Sequence, residues 1–302
     1  MLFLKRGLLV SLFVALNHTA VLAESFESYF PEVHGVVDDE TRLVLDRIIV
    51  ETGNVVIGDN LATISLPENY YYLGPNSSKV VLEDIWGNPP SEPPLGMIFP
   101  RETSPLHDGW GLTIDYDPMG YVSDSDAEDI DYADLLSEMK QDTLEGNKAR
   151  RELGYPSITL LGWAEPPRYD AATREFYWAQ ELQFEGYEAN TLNYNVRELG
   201  RRGVLVVNFI AGIDQLANVK AALPDVLKMV EFNEGNRYAD FIPGTDTVAA
   251  VGLGGLVAGK VMAKAGLFVV LLALLKKGGF LIFLPLIWLG KKIFGRGKPA
   301  SS

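Results

Sequence analysis
The sequence predicts an α+β fold, an antiparallel sheet covered by helices, with an export signal in front and a membrane anchor behind. Three observations predict it. Short alternating or apolar runs recur between turn residues through the middle of the chain, arranged as successive hairpins. Two or three longer segments among them carry helix caps and helix stops, the pattern of helices laid on a sheet. The two ends are far more apolar than the middle, although 47% hydrophobic residues is ordinary for the 302-residue whole.

Residues 1–23 have the build of a secretory signal peptide. Lys5 and Arg6 form the charged start, residues 7–16 the apolar core, and Val21-Leu-Ala23 a small-residue cleavage site. That core is short for a membrane span, which favours cleavage over an uncleaved anchor. No cysteine follows it, so it is not a lipoprotein signal. Residues 24–246 then form an exported acidic domain. Its leading segment, 24–46, has little pattern. Residues 47–51, 54–58 and 61–66 read as short strands, with turns at Thr52-Gly53 and Asp59-Asn60, and 70–73 continues the sheet. Ser77 or Ser78 is suited to cap a helix through Trp86, stopped by Gly87-Asn88 and Pro89-Pro90. Residues 97–100 and 111–116 are further strands. Asp131 is suited to cap a long helix from Tyr132 to about Leu153, ended by Gly154 and Pro156.

The stretch from Leu160 to Asp170 organises the rest. Residues 157–164 read as a strand running into a rigid bend. Pro166 and Pro167 donate no backbone hydrogen bond, so they end the ladder or lie on an edge. Asp170 favours an Asx-type reversal. Residues 174–184 then alternate, with Phe176, Trp178, Leu182 and Phe184 on one face, interrupted by Gln180. Glu175, Tyr177, Glu181 and Gln183 fall on the other, as in a half-buried strand. Residues 191–199 and 204–210 pair through a turn at Gly200-Arg-Arg-Gly203. Asp214 caps a helix that Pro224 interrupts, and 229–232 is a last short strand. The polar motif beside the bend has two readings. It is either a binding site built from Trp163, Glu165, Arg168, Tyr169 and Asp170, or a rigid junction whose polar groups pair with one another.

These motifs resemble a bacterial family known as domain of unknown function 2167. The resemblance is carried by Gly162-Trp-Ala-Glu-Pro-Pro-Arg-Tyr-Asp170 and Phe176-Tyr-Trp-Ala179. It extends to Leu82-Glu-Asp-Ile-Trp-Gly-Asn-Pro-Pro90, Asp129-Ile-Asp-Tyr132, Thr191-Leu-Asn-Tyr194, Gly200-Arg-Arg-Gly203 and Arg237-Tyr-Ala-Asp-Phe241. It implies a membrane-anchored protein and brings no activity with it. Glu185-Gly-Tyr-Glu-Ala189 reads as a variable hairpin loop. The closing strand–helix–strand is similar to the end of the PsbP-like fold, a likeness of fold that says little about function.

Charge narrows the partners. Residues 247–302 hold eight basic residues and no acid, and residues 1–23 hold two. The middle keeps 16 basic against all 40 acidic residues, a net of −24. So acidic a body disfavours nucleic acid as a partner. With no cysteine, disulfides, thiolate catalysis and cysteine metal sites are excluded. The acidic run Asp124-Ser-Asp-Ala-Glu-Asp-Ile-Asp131 lacks EF-hand spacing and reads as a solvated loop favouring the helix after it. His34 and His107 are far apart, so neither zinc nor a serine triad is expected. Gly254-Gly-Leu-Val-Ala-Gly-Lys260 departs from a phosphate-binding loop at Val261. No cofactor is expected. Glu165 and Asp170, with Tyr169 beside them, leave a carboxylate-dependent hydrolase as the catalytic alternative.

Residues 247–290 form the membrane-anchoring segment and 291–302 a basic tail. Within it, 248–275 is apolar except for Lys260 and Lys264, long enough to cross a bilayer. Residues 278–290 are shorter and contain Pro285, leaving one span or a two-helix hairpin. Positive-inside sorting favours one span. The expected partners are the lipid bilayer, through this segment, and an envelope protein. The expected location is the bacterial inner membrane, with the main domain in the periplasm.

Overall fold
The computed structural model describes residues 21–33 and 35–258. The charged start and apolar core of the export signal, and the apolar run beyond Ala258, lie outside the described residues. Among the described residues, one antiparallel sheet has nine strands. They are β1 (Leu22–Ser25), β2 (Ile49–Thr52), β5 (Tyr70–Leu73), β6 (Gly96–Pro100), β7 (Gly111–Asp117), β11 (Val204–Gly212), β10 (Thr191–Leu199), β9 (Glu175–Phe184) and β8 (Ile158–Asp170), in that spatial order. A second sheet holds β12 (Val230–Phe232), β4 (Ala62–Ser65) and β3 (Asn54–Ile57). The expected α+β class, with a large antiparallel sheet and helices, is what the chain adopts.

Three apolar clusters hold these layers together. On one face of the main sheet, the second sheet and helix α5 (Leu216–Met229) bury Leu112, Ile114, Tyr194, Val207 and Phe209. On the other face there are two covers. At one end α1 (Phe26–Tyr29), α2 (Asp39–Leu45) and α3 (Pro75–Lys79) close over Tyr71, Leu73, Met97 and Phe99. At the other end α4 (Tyr132–Glu152) and α6 (Leu253–Ala258) close over Phe176, Trp178, Leu182 and Phe184. Each fully buried large apolar side chain contributes about 1.5–3 kcal/mol, so the alternation along these strands is the main source of register.

Several expectations are corrected. Of the two readings for Pro166 and Pro167, the end of the ladder falls and the edge position holds: β8 continues through both to Asp170. It can do so because it is the outer strand of the sheet and its pairing with β9 shifts register three times between Leu160 and Arg168. β9 is not half-buried, since Tyr177 and Ala179 enter the cluster on the opposite face. Residues 49–57 do not make one hairpin, because β2 joins the large sheet and β3 the small one. β12 likewise pairs with β4, outside the sheet of β11. The helix after β5 starts at Pro75 with Gly74 before it, so neither serine is its cap. Ser77 instead accepts from the Ile49 amide at 2.9 Å, and Ser78 donates to the Leu73 carbonyl at 2.8 Å. That helix runs on as a π-helical turn over Val80–Ile85. Pro224 lies inside α5 without ending it, and α5 begins after a 3-10 turn over Ile213–Gln215 rather than at an Asp214 cap. The unpatterned leading segment contains β1, α1 and α2, anchored by the buried Phe26 and Phe30.

Other expectations match. Asp131 caps α4, accepting from the amides of Ala133 and Asp134 at 2.9 and 3.1 Å. Gly200 donates to the Gly203 carbonyl at 2.9 Å, closing the β10–β11 turn. Asp170 accepts from Ala172 at 2.8 Å, and Arg174 takes the left-handed conformation at φ +62° that completes the reversal.

The end of the described chain is packed against the domain. Tyr121 bridges Val248, and Leu253, Leu256 and Val257 are buried beside α4. The first residues of the long apolar run are therefore part of the domain's own core. At the other end Leu22 and Ala23 form the outer half of the exposed strand β1, opposite Thr52 and Glu51.

Candidate functional site
The bulged strand β8 distributes the five candidate residues over two faces. Trp163 lies opposite Gln180 and Tyr169 opposite Phe176, on the face covered by α4. Glu165 lies opposite Ala179 and Arg168 opposite Tyr177, on the face covered by α5. Asp170 ends β8 opposite Glu175, on the same face as Glu165 and Arg168, and its carboxylate holds the turn that follows. Three of the five residues thus share the α5 face and two the α4 face.

Each has its own contact. The Trp163 indole donates to the Tyr132 carbonyl at 3.3 Å, tying β8 to the start of α4. Glu165 Oε2 pairs with Lys220 Nζ of α5 at 2.8 Å. The Arg168 guanidinium lies over the Tyr177 ring, 4.7 Å from its centre. Tyr169 donates to Asp124 Oδ2 at 2.8 Å. Arg174 reaches the same oxygen through NH1, and Tyr238 donates to Asp124 Oδ1 at 3.3 Å. Arg174 also lies over the Tyr238 ring at 5.0 Å.

Asp124 is thus the centre of a knot of two tyrosines and an arginine. Burial works against its charge, but the Tyr169 hydrogen bond and the Arg174 charge outweigh it and hold the carboxyl below the usual range. The same knot, with burial as the first cause, pushes Tyr169 up to about 12, and Tyr238 is raised in the same way. Neither phenol loses its proton near neutrality, so the knot acts as donors around one carboxylate. The rest of the acidic run is divided likewise. Asp126 accepts from the Leu253 amide at 3.1 Å at the start of α6, and Asp131 caps α4. Asp124 and Asp126 are thus structural connectors, while Asp131 caps the following helix and Glu128 and Asp129 are exposed, as the solvated-loop reading expects. Among the described residues no group of three His, Asp or Glu side chains could hold a metal ion.

The Gly200–Gly203 turn is locked from outside. Arg201 makes a two-pronged contact with Asp246, at 2.8 and 2.9 Å, and donates to the Gly235 carbonyl at 3.2 Å. Arg202 is exposed and donates to Asn236 at 2.7 Å, on the rim of an open depression of about 640 Å³.

A family model described as a protein of unknown function (DUF2167) matches residues 49–287. The chain belongs to this family. In this DUF2167 member the motifs that are far apart in sequence meet in space. Gly200 bridges Arg237, so the double-arginine turn is held by the Arg237–Phe241 stretch. Asn88 donates to the Leu82 carbonyl at 2.9 Å, closing the Leu82–Pro90 motif on itself, and Trp86 ties it to the Pro105 carbonyl at 3.0 Å. No curated protein matches the chain. Among solved structures, it is similar to cyanobacterial PsbP from Synechocystis sp. PCC 6803. The identity is 11% and the TM-score 0.33, over 60% of this chain and 91% of that one. It is also similar to the Saccharomyces cerevisiae Ran-binding protein Mog1p, at 9% identity and TM-score 0.27, over 63% and 100%. At such values neither neighbour carries an argument about chemistry or partners.

Sequence reasoning missed Asp124, Arg174, Tyr238 and Lys220 as partners of the motif. It also missed a carboxylate pair on the α5 face. Glu198 on β10 stands directly opposite Glu175 on β9. Burial, then the charges of Glu175 and Glu231, raise Glu198 to about 8. A folded-state pKa above the unfolded value of about 4.3 gives stability that is complete below that value and lost as pH rises through about 8. The denaturation midpoint should therefore fall between those limits, and Glu198→Gln should flatten the fall. Equal slopes in the two proteins would show that Glu198 is not the titrating group.

Proposed function
We propose that this DUF2167 protein is a non-catalytic binding or assembly module of the bacterial envelope. It is anchored in the inner membrane by its C-terminal segment, with its acidic domain facing the periplasm. The observation that carries the non-catalytic reading is the Glu165–Lys220 pair. A hydrolase of the kind the sequence allows needs two carboxylates facing each other across an open cleft. Here Glu165 faces Lys220 of α5, Asp170 holds a turn, and Tyr169 is committed to Asp124.

The contact surface in this reading is what β8 leaves exposed, namely Thr159, Leu161, Pro166 and Arg168, with Arg202 on the neighbouring turn. Three register shifts and two prolines make that edge a poor template for an added strand, so recognition would go through side chains. Arg201 does not take part, since Asp246 occupies its guanidinium.

The location is supported by charge. Lys5 and Arg6 open an export signal, and the tail beyond Lys276 is basic with no acid. Moving each tail charge outward would oppose the membrane potential by about 2.3 kcal/mol per 100 mV. A phosphatase fused after Ala258 is therefore expected to be active outside the cytoplasm, and a fluorescent protein after Ser302 to light up inside. A C-terminus open to external protease in spheroplasts would overturn the single span, and a protected domain would overturn export.

A further inference from the structure
The sheet face that carries both helical covers is not apolar throughout. The α1–α3 cover reaches β11 only at Ile210. The α4–α6 cover reaches β10 and β11 only near the turn, at Leu199 and Val204. Between the two covers the inward positions are polar. Thr113, Asn208 and Asn195 stand in one in-register row across β7, β11 and β10, and the row runs on to Trp178 of β9 at the edge of the α4–α6 cover. The next row holds Asp115, Val206 and Arg197, all half-buried, so the face opens to water on that side.

This row is buried and incompletely paired. Asn195 is used within its own strand: it donates to Asn193 Oδ1 at 2.8 Å, and its oxygen accepts from Arg197 at 3.4 Å. Asn208, 7% exposed, has a side-chain oxygen with no donor, and Trp178, 2% exposed, has an indole N–H with no acceptor. Aliphatic residues would satisfy a sheet core at these positions without that standing cost.

We propose that this row is the floor of a binding site for an uncharged, hydroxyl-rich small molecule, the chemistry of a saccharide. The class follows from the groups present. Asn208 Oδ1 needs a donor and Trp178 Nε1 an acceptor, and a hydroxyl is both. A charged ligand is disfavoured, because the row itself carries no charge and the Arg197 guanidinium beside it already donates to the Val196 carbonyl at 3.1 Å and to Asn195 Oδ1 at 3.4 Å. A flat aromatic ligand is disfavoured too, because Arg197 lies over the Trp178 ring, 4.7 Å from its centre. The site lies on the opposite face from the Glu165–Lys220 pair and does not depend on where the protein is located.

The test uses the full-length chain, isotope-labelled at tryptophan, in a detergent without a sugar headgroup. N-acetylglucosamine is the hydroxyl-rich probe and benzyl alcohol the aromatic one. The Trp178 indole resonance, assigned by its loss in Trp178→Phe, is expected to shift saturably with N-acetylglucosamine and not with benzyl alcohol. Asn208→Leu should weaken that binding roughly tenfold. It should also raise the unfolding midpoint without the probe, since it removes an unpaired oxygen. No saturable shift up to tens of millimolar overturns the proposal, as does a response to benzyl alcohol alone. Unchanged affinity in a folded Asn208→Leu overturns it as well, because binding would then lie elsewhere.

Discussion

Trp178→Ala is expected to lower the unfolding free energy by about 3–5 kcal/mol. Trp178 is 2% exposed and packs against Phe176 at 5.5 Å between ring centres. The Arg197 guanidinium lies over its ring, and Leu182 and Leu256 belong to the same buried cluster. Removing the indole leaves a cavity that a sheet pinned on both sides cannot close. The measurement is chemical denaturation of residues 24–258. Cutting at Asp246 instead would remove the buried Leu253, Leu256 and Val257 and confuse the result. An unchanged midpoint would remove Trp178 from the core.

Gly203→Ala should cost about 1–3 kcal/mol through overpacking. A Cβ at this position would lie 2.2 Å from the Asp117 carbonyl oxygen and 2.7 Å from the Tyr116 side chain. The oxygen belongs to the neighbouring strand, whose register is fixed by the Val204–Asp117 pairing, so it cannot retreat cheaply. Gly162 is the contrast within the same set of motifs. A Cβ there meets nothing within 4 Å. Gly162→Ala should therefore be neutral or stabilise by up to about 1 kcal/mol. Equal losses at the two glycines would show that space is not what distinguishes them.

How much of this was legible in the sequence depends on the range of each interaction. The Asp131 cap, the Asp170 reversal and the Gly200–Gly203 turn depend on neighbours a few residues away, and local chemistry exposes them. The apolar set Phe176, Trp178, Leu182 and Phe184 was visible because one strand alternates by itself. Burial of Tyr177 on the other face was not, because its cover comes from the second sheet and α5. The partners of the candidate residues were hidden for the same reason. Asp124 meets Tyr169, Arg174 and Tyr238 from 45, 50 and 114 residues away. No local pattern encodes those separations. The bulges in β8, which decide which side chains share a face, come from pairing geometry and leave only two prolines and a glycine as their trace. The Asn193, Asn195 and Asn208 positions did leave a signal, as asparagines alternating with Leu192, Tyr194 and Val196 on β10 and with Val207 and Phe209 on β11.

The docking of Val248–Val257 on the domain has a mechanical consequence. A flexible tether would let a pull on the C-terminal run dissipate in slack chain. Here tension beyond Ala258 loads α6 at once, then the Asp126 cap and the Tyr121–Val248 bridge, and then the clasp of Asp246 on Arg201. These contacts break one after another, each before the sheet is strained. A pull applied at Ala258 is therefore expected to peel the domain from its C-terminal end, contact by contact, and to leave the sheet intact.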